Sequence, residues 1–158
     1  MNKFSEYIST LFGIGYFPKA PGTAGTLFAA IVYFALPNQW FNSFQNSSLV
    51  LIAIFVGSII SVFFISKAEE GLGHDNGKIV LDEFWGYFIA VLFLPKTLVV
   101  IAAAFVLFRI FDILKPEPVN ILQKLPKGWG VMADDIMAGV YANVVLQIVI
   151  RLIPKFIK

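Results

Sequence analysis

The run from Leu49 to Ser66 carries no charged residue and nothing more polar than serine. A stretch of that kind, within the roughly 17 to 25 residues a helix needs to cross hydrocarbon, has few fates other than a membrane span. A second run, Ile136 to Ile153, is comparable once Asn143, Gln147 and Arg151 are read as facing partners or water. Between them, Ile79 to Leu94 and Thr97 to Leu114 flank Pro95-Lys96 and read as a tight helical hairpin. Thr26 to Leu36 is shorter and stops at Pro37-Asn38, although Trp40 and Phe41 could extend it as an aromatic anchor. Apolar residues make up 58% of the chain and charged residues 14%, against roughly a quarter charged in soluble domains. The expectation is an all-α integral membrane bundle, one domain over residues 1–158, with four to five membrane helices. The N-terminal segment lacks the apolar core and cleavage site of a secretory signal. Phe4, Tyr7/Ile8 and Leu11/Phe12 recur there at helical spacing among Lys3, Ser5, Glu6 and Ser9, which predicts a short helix lying in the membrane interface.

Against that background the acids are anomalous. All five aspartates and Glu83 lie in or beside the apolar stretches: Asp75, Asp82, Glu83, Asp112, Asp134 and Asp135. A carboxylate in or near hydrocarbon costs several kcal/mol unless paired, hydrated or bound to a cation, so such groups are functional suspects. Tracing the crossings sharpens the point. If the Leu49 helix exits on one face, Asp75, Asp82 and Glu83 emerge there, and the hairpin turning at Pro95 returns Arg109, Asp112 and Lys115 to it. Asp134 and Asp135 then open the last helix on that same face. If the first run also spans, the face holds Lys3, Lys19, Lys67, Lys78, Lys115, Lys124 and Lys127, against Lys96, Arg151, Lys155 and Lys158 opposite. Seven basic residues against four assign the acid-bearing face to the cytoplasm.

Several function classes drop out. A net charge of +2 with singly scattered lysines does not indicate nucleic acid, and the absence of cysteine removes thiolate catalysis and Cys-ligated zinc or iron–sulfur sites. Hard oxygen donors with one histidine select magnesium or calcium. Adjacent Asp82 and Glu83 point about 100° apart on a helix, so they straddle a site, or simply complement a helix dipole. Gly86, one turn on, leaves room for another helix or a ligand. Arg109, Asp112 and Lys115 share one helical face, as an intrahelical ion pair or as a cation ligand flanked by two phosphate-binding cations. Asp134 and Asp135 are more acids than a helix cap requires. Lys19 precedes Pro21, Gly22, Thr23, Ala24 and Gly25 at a helix start, a loop and cap whose free N–H groups could also hold an anion. His74 and Asp75 read as a surface loop. Magnesium with basic neighbours points to phosphoryl chemistry on a phospholipid at the cytoplasmic interface.

The blocks PKAPGTAGTL (18–27), HDNGKIVLDEFWGY (74–87), FRIFDILKPEPV (108–119) and GVMADDIMAGVYA (130–142) together resemble the phosphatidylglycerophosphatase A family, in its order and over nearly the whole chain. Soluble relatives with this helical fold exist in the wider family, and the long apolar runs favour the membrane branch. The resemblance implies a Mg2+-dependent phosphatase of the bacterial cytoplasmic membrane that converts phosphatidylglycerophosphate to phosphatidylglycerol and inorganic phosphate. It singles out Asp82, Glu83, Asp112, Asp134 and Asp135 as catalytic, with Asp82, Glu83, Asp112 and Asp135 as metal ligands. Lys19, Pro21, Gly22, Thr23, Gly25, Arg109 and Lys115 become the phosphate-binding set, and the family moves His74 and Asp75 from the surface loop to the site. With no cysteine, no D-x-D pair after a strand and only one histidine, attack by a metal-activated water with Asp or Glu as ligand and base is the leading mechanism. The rival is a small cation or proton carrier, which would need polar groups through the full membrane depth. A CDP-alcohol phosphotransferase is a third reading, and its long aspartate motif is absent.

Overall fold

The computed structural model describes residues 2–153, and among these every regular element is helical. The elements are α1 (Lys3–Ser9), α2 (Pro21–Ala35), α3 (Phe44–Leu72), α4 (Leu81–Val91), α5 (Leu98–Leu114), α6 (Val119–Leu122) and α7 (Gly128–Leu152), with 3-10 turns at Ile14–Tyr16 and Asn38–Trp40. Two of them, α3 and α7, are long and apolar enough to cross a membrane. The outward side of α3 presents Leu49, Ile52, Phe55, Ile59 and Phe63, a contiguous apolar surface suited to lipid rather than water. Lys155 and Lys158, counted above on the far face, lie outside the described residues.

Several expected boundaries move, each for a local reason. The α2 helix starts at Pro21 rather than Thr26, because Pro21 suits the first helical position and Ala20 turns the chain in a left-handed conformation. The last helix opens at Gly128, so Asp134 and Asp135 lie well inside it and are not caps. Gly128 lets α7 approach α3, where a Cβ would meet Val62 O at 2.7 Å, and its N–H is donated to Ser66 Oγ at 3.1 Å. In α1 the serine face is buried and Phe4 and Tyr7 point outward, the reverse of an amphipathic helix packing its apolar stripe on protein. Small serines permit close approach to α3.

The α4 helix is the centre of the bundle and packs against α2, α3, α5 and α7. Its apolar run predicts a helix through Leu94, but it stops at Val91, which at about 1.5 Å per residue is roughly half of the hydrocarbon thickness. The reason is Asn143 of α7, whose Nδ2 donates to Ile89 O, Ala90 O and Leu92 O at 3.1, 3.1 and 2.7 Å. Gln147 then donates to Asn143 Oδ1 at 2.7 Å, and Arg151 to Gln147 Oε1 at 3.3 Å. The polar residues of α7 thus close the end of α4 and brace one another. At the same far end Lys96 donates to the last carbonyls of α2, at Phe34 (3.0 Å) and Leu36 (2.5 Å).

Asn143→Leu should leave the terminal carbonyls of α4 without a donor, at a cost of roughly 1–3 kcal/mol. Thermal unfolding in detergent is expected to show a melting point several degrees lower, with a smaller loss for Gln147→Leu, which removes only the brace.

Candidate active site

Gly86 of α4 and Gly139 of α7 make the closest contact between the two helices: a Cβ on Gly139 would overlap Gly86 O, and one on Gly86 would fall 2.7 Å from Asp135 O. Asp82 and Asp135 sit one turn N-terminal of these glycines, on the faces that meet. Carboxylate oxygens of Asp82, Glu83 and Asp135 all lie within 4.8 Å of one another. Asp82 Oδ1, Glu83 Oε2 and Asp135 Oδ2 are buried without any hydrogen-bond partner. Three carboxyl groups this close together, each with a buried oxygen lacking a partner, can all ionise only beside a counter-charge. An all-oxygen donor set of this kind fits a hard divalent cation.

The α2 N-terminus presses on the same place. A Cβ at Gly22 would collide with Glu83 Oε1 and lie 3.1 Å from both Arg109 Nη atoms, so a larger residue there would displace the Glu83 carboxylate. The α2 helix has no side-chain cap, and the N–H groups of Gly22 and Thr23 lack intrahelical acceptors, as first-turn N–H groups do. Gly25 serves packing instead, with a Cβ position 2.8 Å from Val80 Cβ. Arg109 Nη1 lies 2.6 Å from Asp112 Oδ2 and 3.8 Å from Glu83 Oε1. The first is an ion-pair distance without hydrogen-bond alignment, and Nε and Nη1 have no directed partner. Asp112, expected from sequence as a metal ligand, is the ion-pair partner of Arg109 and lies beside the group of three rather than within it.

Lys115 ends α5 in a left-handed conformation, which turns its Nζ onto Asp134 Oδ2 at 2.6 Å. Burial opposes its charge, but Asp134, with Asp75 and Asp112 near, outweighs this and holds its pKa above the ordinary lysine value. Asp134 Oδ1 also accepts the Asp135 N–H at 3.0 Å. Asp134 is thus tied to a cation and to the backbone, while its neighbour joins the trio.

His74 and Asp75 lie in the loop between α3 and α4, with Asp75 near Lys115. His74 is exposed, with Nδ1 2.6 Å from Glu69 Oε1. The same oxygen accepts the Asp75 N–H at 3.0 Å, and Gln123 Nε2 donates to Asp75 Oδ2 at 2.5 Å. Lys19 is exposed on the segment leading into α2. Sequence reasoning passed over Glu69 and Gln123. Glu69 had a detectable signal, because two adjacent acids in the last turn of a helix oppose its dipole; Gln123 had none.

The family model described as phosphatidylglycerophosphatase A matches residues 7–150. Among curated relatives, a protein of Bacteroides thetaiotaomicron provisionally named a phosphatidylinositol-3-phosphatase is 38% identical, with 89% of this chain and 90% of that protein covered. The phosphatidylglycerophosphatase A of Haemophilus influenzae is 38% identical over 85% of this chain and 82% of its own length. That of Escherichia coli is 36% identical, over 87% and 78%. No solved structure matches the chain. The chain belongs to the phosphatidylglycerophosphatase A family.

Lys115→Met should strand Asp134 and destabilise the fold by about 2 kcal/mol, somewhat less than a fully buried pair loses because the lysine is partly solvated. The double variant Lys115→Met/Asp134→Asn is expected to recover most of that loss in thermal melts, giving a positive coupling energy for the pair.

Proposed function

We propose that this protein hydrolyses the terminal phosphate monoester of phosphatidylglycerophosphate to phosphatidylglycerol and inorganic phosphate. We place the reaction at the cytoplasmic face of a bacterial membrane crossed by several of its helices, with Asp82, Glu83 and Asp135 holding Mg2+. The observation that carries this reading is the juxtaposition of three buried carboxyl groups, each with one oxygen that has no hydrogen-bond partner, with an Arg109 guanidinium whose Nε has none either. One set of groups suits a hard cation and the other a phosphate, and few ligands other than a metal-bound phosphate ester need both.

A bound Mg2+ would supply Lewis acidity toward the phosphate and lower the pKa of a coordinated water. The chain's own groups account for the rest. The Arg109 guanidinium binds phosphate oxygens as a fork, and Asp112 fixes its orientation. The N–H groups of Gly22 and Thr23 add donors at the positive end of the α2 dipole. A carboxylate of the trio within reach of the attacking water takes its proton. Lys115, held by Asp134, offsets negative charge beside the site, and His74 and Asp75 contact the head group from the loop between α3 and α4.

The relative named for an inositol lipid supports a second reading, in which the same phosphate chemistry acts on a phosphoinositide head group. The carrier reading finds less support. Asn143, Gln147 and Arg151, the polar residues in the far half of α7, are spent on one another and on the end of α4 rather than lining a path.

Phosphate release in detergent micelles tests the proposal. Phosphatidylglycerophosphate should be turned over with Mg2+ and not with EDTA, and phosphatidylinositol 3-phosphate much more slowly. Asp82→Asn, Glu83→Gln and Asp135→Asn should each lower kcat by about 10²-fold or more. Activity that survives all three substitutions, or that ignores EDTA, would refute the metal site, and a preference for the inositol lipid would move the substrate to the second reading.

A further inference from the structure

We propose that the groove between α2 and α5 seats an acyl chain of the substrate lipid. The inference rests on the lipid-phosphatase reading above and adds where the hydrophobic part of the molecule lies. The groove encloses about 400 Å³, and its walls include Val106, Ile110, Ile113 and Leu114, with Thr23 and Arg109 as the two polar residues among them.

The spacing on α5 explains why this groove is distinctive. Val106, Arg109, Ile110 and Ile113 follow the i, i+3, i+4, i+7 pattern of one helical face. The apolar members are exposed, Ile113 at 68% and Leu114 beside it at 72%, so no protein covers them. Arg109 alone on that face is largely buried, its stem in the groove wall and its guanidinium turned to Glu83 and Asp112. One side chain therefore joins an apolar channel to the polar site. A phosphate received by Nε of Arg109, which has no hydrogen-bond partner, leaves the attached glycerol near Thr23 and a chain free to run along Val106, Ile110 and Ile113. Two larger grooves, of about 560 and 480 Å³, open along α3 and contain no member of the polar site in their walls. The second of these is lined by Phe55, Ile59, Ile136 and Val140, with Ser58 as its one polar residue. That composition suits bulk lipid and offers a head group nothing.

The test compares two substrates. Val106→Trp and Ile110→Trp should fill the groove, and Val140→Trp fills the α3–α7 groove as a control. Phosphate release is measured with dioleoyl phosphatidylglycerophosphate and with the same head group freed of its acyl chains. The groove variants are expected to raise KM for the acylated lipid about tenfold more than for the chain-free compound, with the control unchanged on both. Equal penalties on the two substrates, or an equal penalty from Val140→Trp, would overturn the proposal. Photolabelling with a phosphatidic acid carrying a diazirine in one acyl chain adds a measurement independent of turnover. Label on residues 105–114 is expected, and label confined to α3 or α7 overturns the groove in an active enzyme. A protein that labels at 105–114 yet releases no phosphate would refute the head-group reading and leave the groove standing.

Discussion

The close backbone contact of Gly86 of α4 against Gly139 of α7 determines where the acids are. In a lipid surround, helix association depends on close van der Waals approach, because hydrocarbon offers no hydrophobic drive to join apolar faces. Glycine at each of these positions costs about 1 kcal/mol of helix propensity, and the return is a crossing close enough for Asp82 and Asp135, each one turn away, to share a space with Glu83. A methyl group at either glycine would separate the helices and disperse the carboxylates. The site is thus a consequence of helix packing, built by elements that would pack there without any ligand.

That packing gathers five carboxyls against two cations, and the cations divide them. Arg109 takes Asp112 and Lys115 takes Asp134, two pairs that neutralise most of their own charge. Asp82, Glu83 and Asp135 remain, each with a buried oxygen lacking any partner. A fold under pressure for stability alone would pair or remove such groups, since each orphan costs on the order of 1–3 kcal/mol. The scaffold pairs have an orienting role as well. Asp112 turns the Arg109 head inward from an apolar helix face, and Asp134, by accepting the Asp135 N–H, ties the backbone at the trio to the Lys115 turn.

Much of this was legible in the sequence. The turn at Pro95 and the lengths of the runs imply that Asp82, Glu83, Asp112, Asp134 and Asp135 meet at one end, and they do. The i, i+4 relation of Asp82 to Gly86 and of Asp135 to Gly139 marks where another helix can approach. The division of labour among the acids was not legible, because Arg109 at i−3 to Asp112 reads equally as an internal pair or as a separate phosphate ligand until Glu83 and Gly22 are seen beside it. The residues that hold the loop between α3 and α4 escaped for the same reason. Gln123 lies 48 residues beyond Asp75 in the chain, and no periodicity links a glutamate near the end of α3 to a glutamine after α6. The start of α2 at Pro21 was hidden by a Gly- and Thr-rich segment whose composition is that of a loop, although its glycines serve contact with Glu83, Arg109 and Val80.

The short α4 follows from the same geometry. Asp135, Gly139 and Asn143 fall at successive four-residue steps on α7 and face α4 in turn, supplying an acid, a close contact and a cap for its last carbonyls. Slipping α4 by one turn along α7 would break the glycine contact and uncap Ile89, Ala90 and Leu92 together, so the register is fixed twice over a short distance. Its other end is fixed as well, since the Val80 N–H is donated to Ser9 O at the end of α1. A helix spanning the full hydrocarbon thickness could slide or tilt to suit the bilayer at small cost. A half-length helix stapled at both ends cannot, and that rigidity holds Asp82 and Glu83 in register with Asp135.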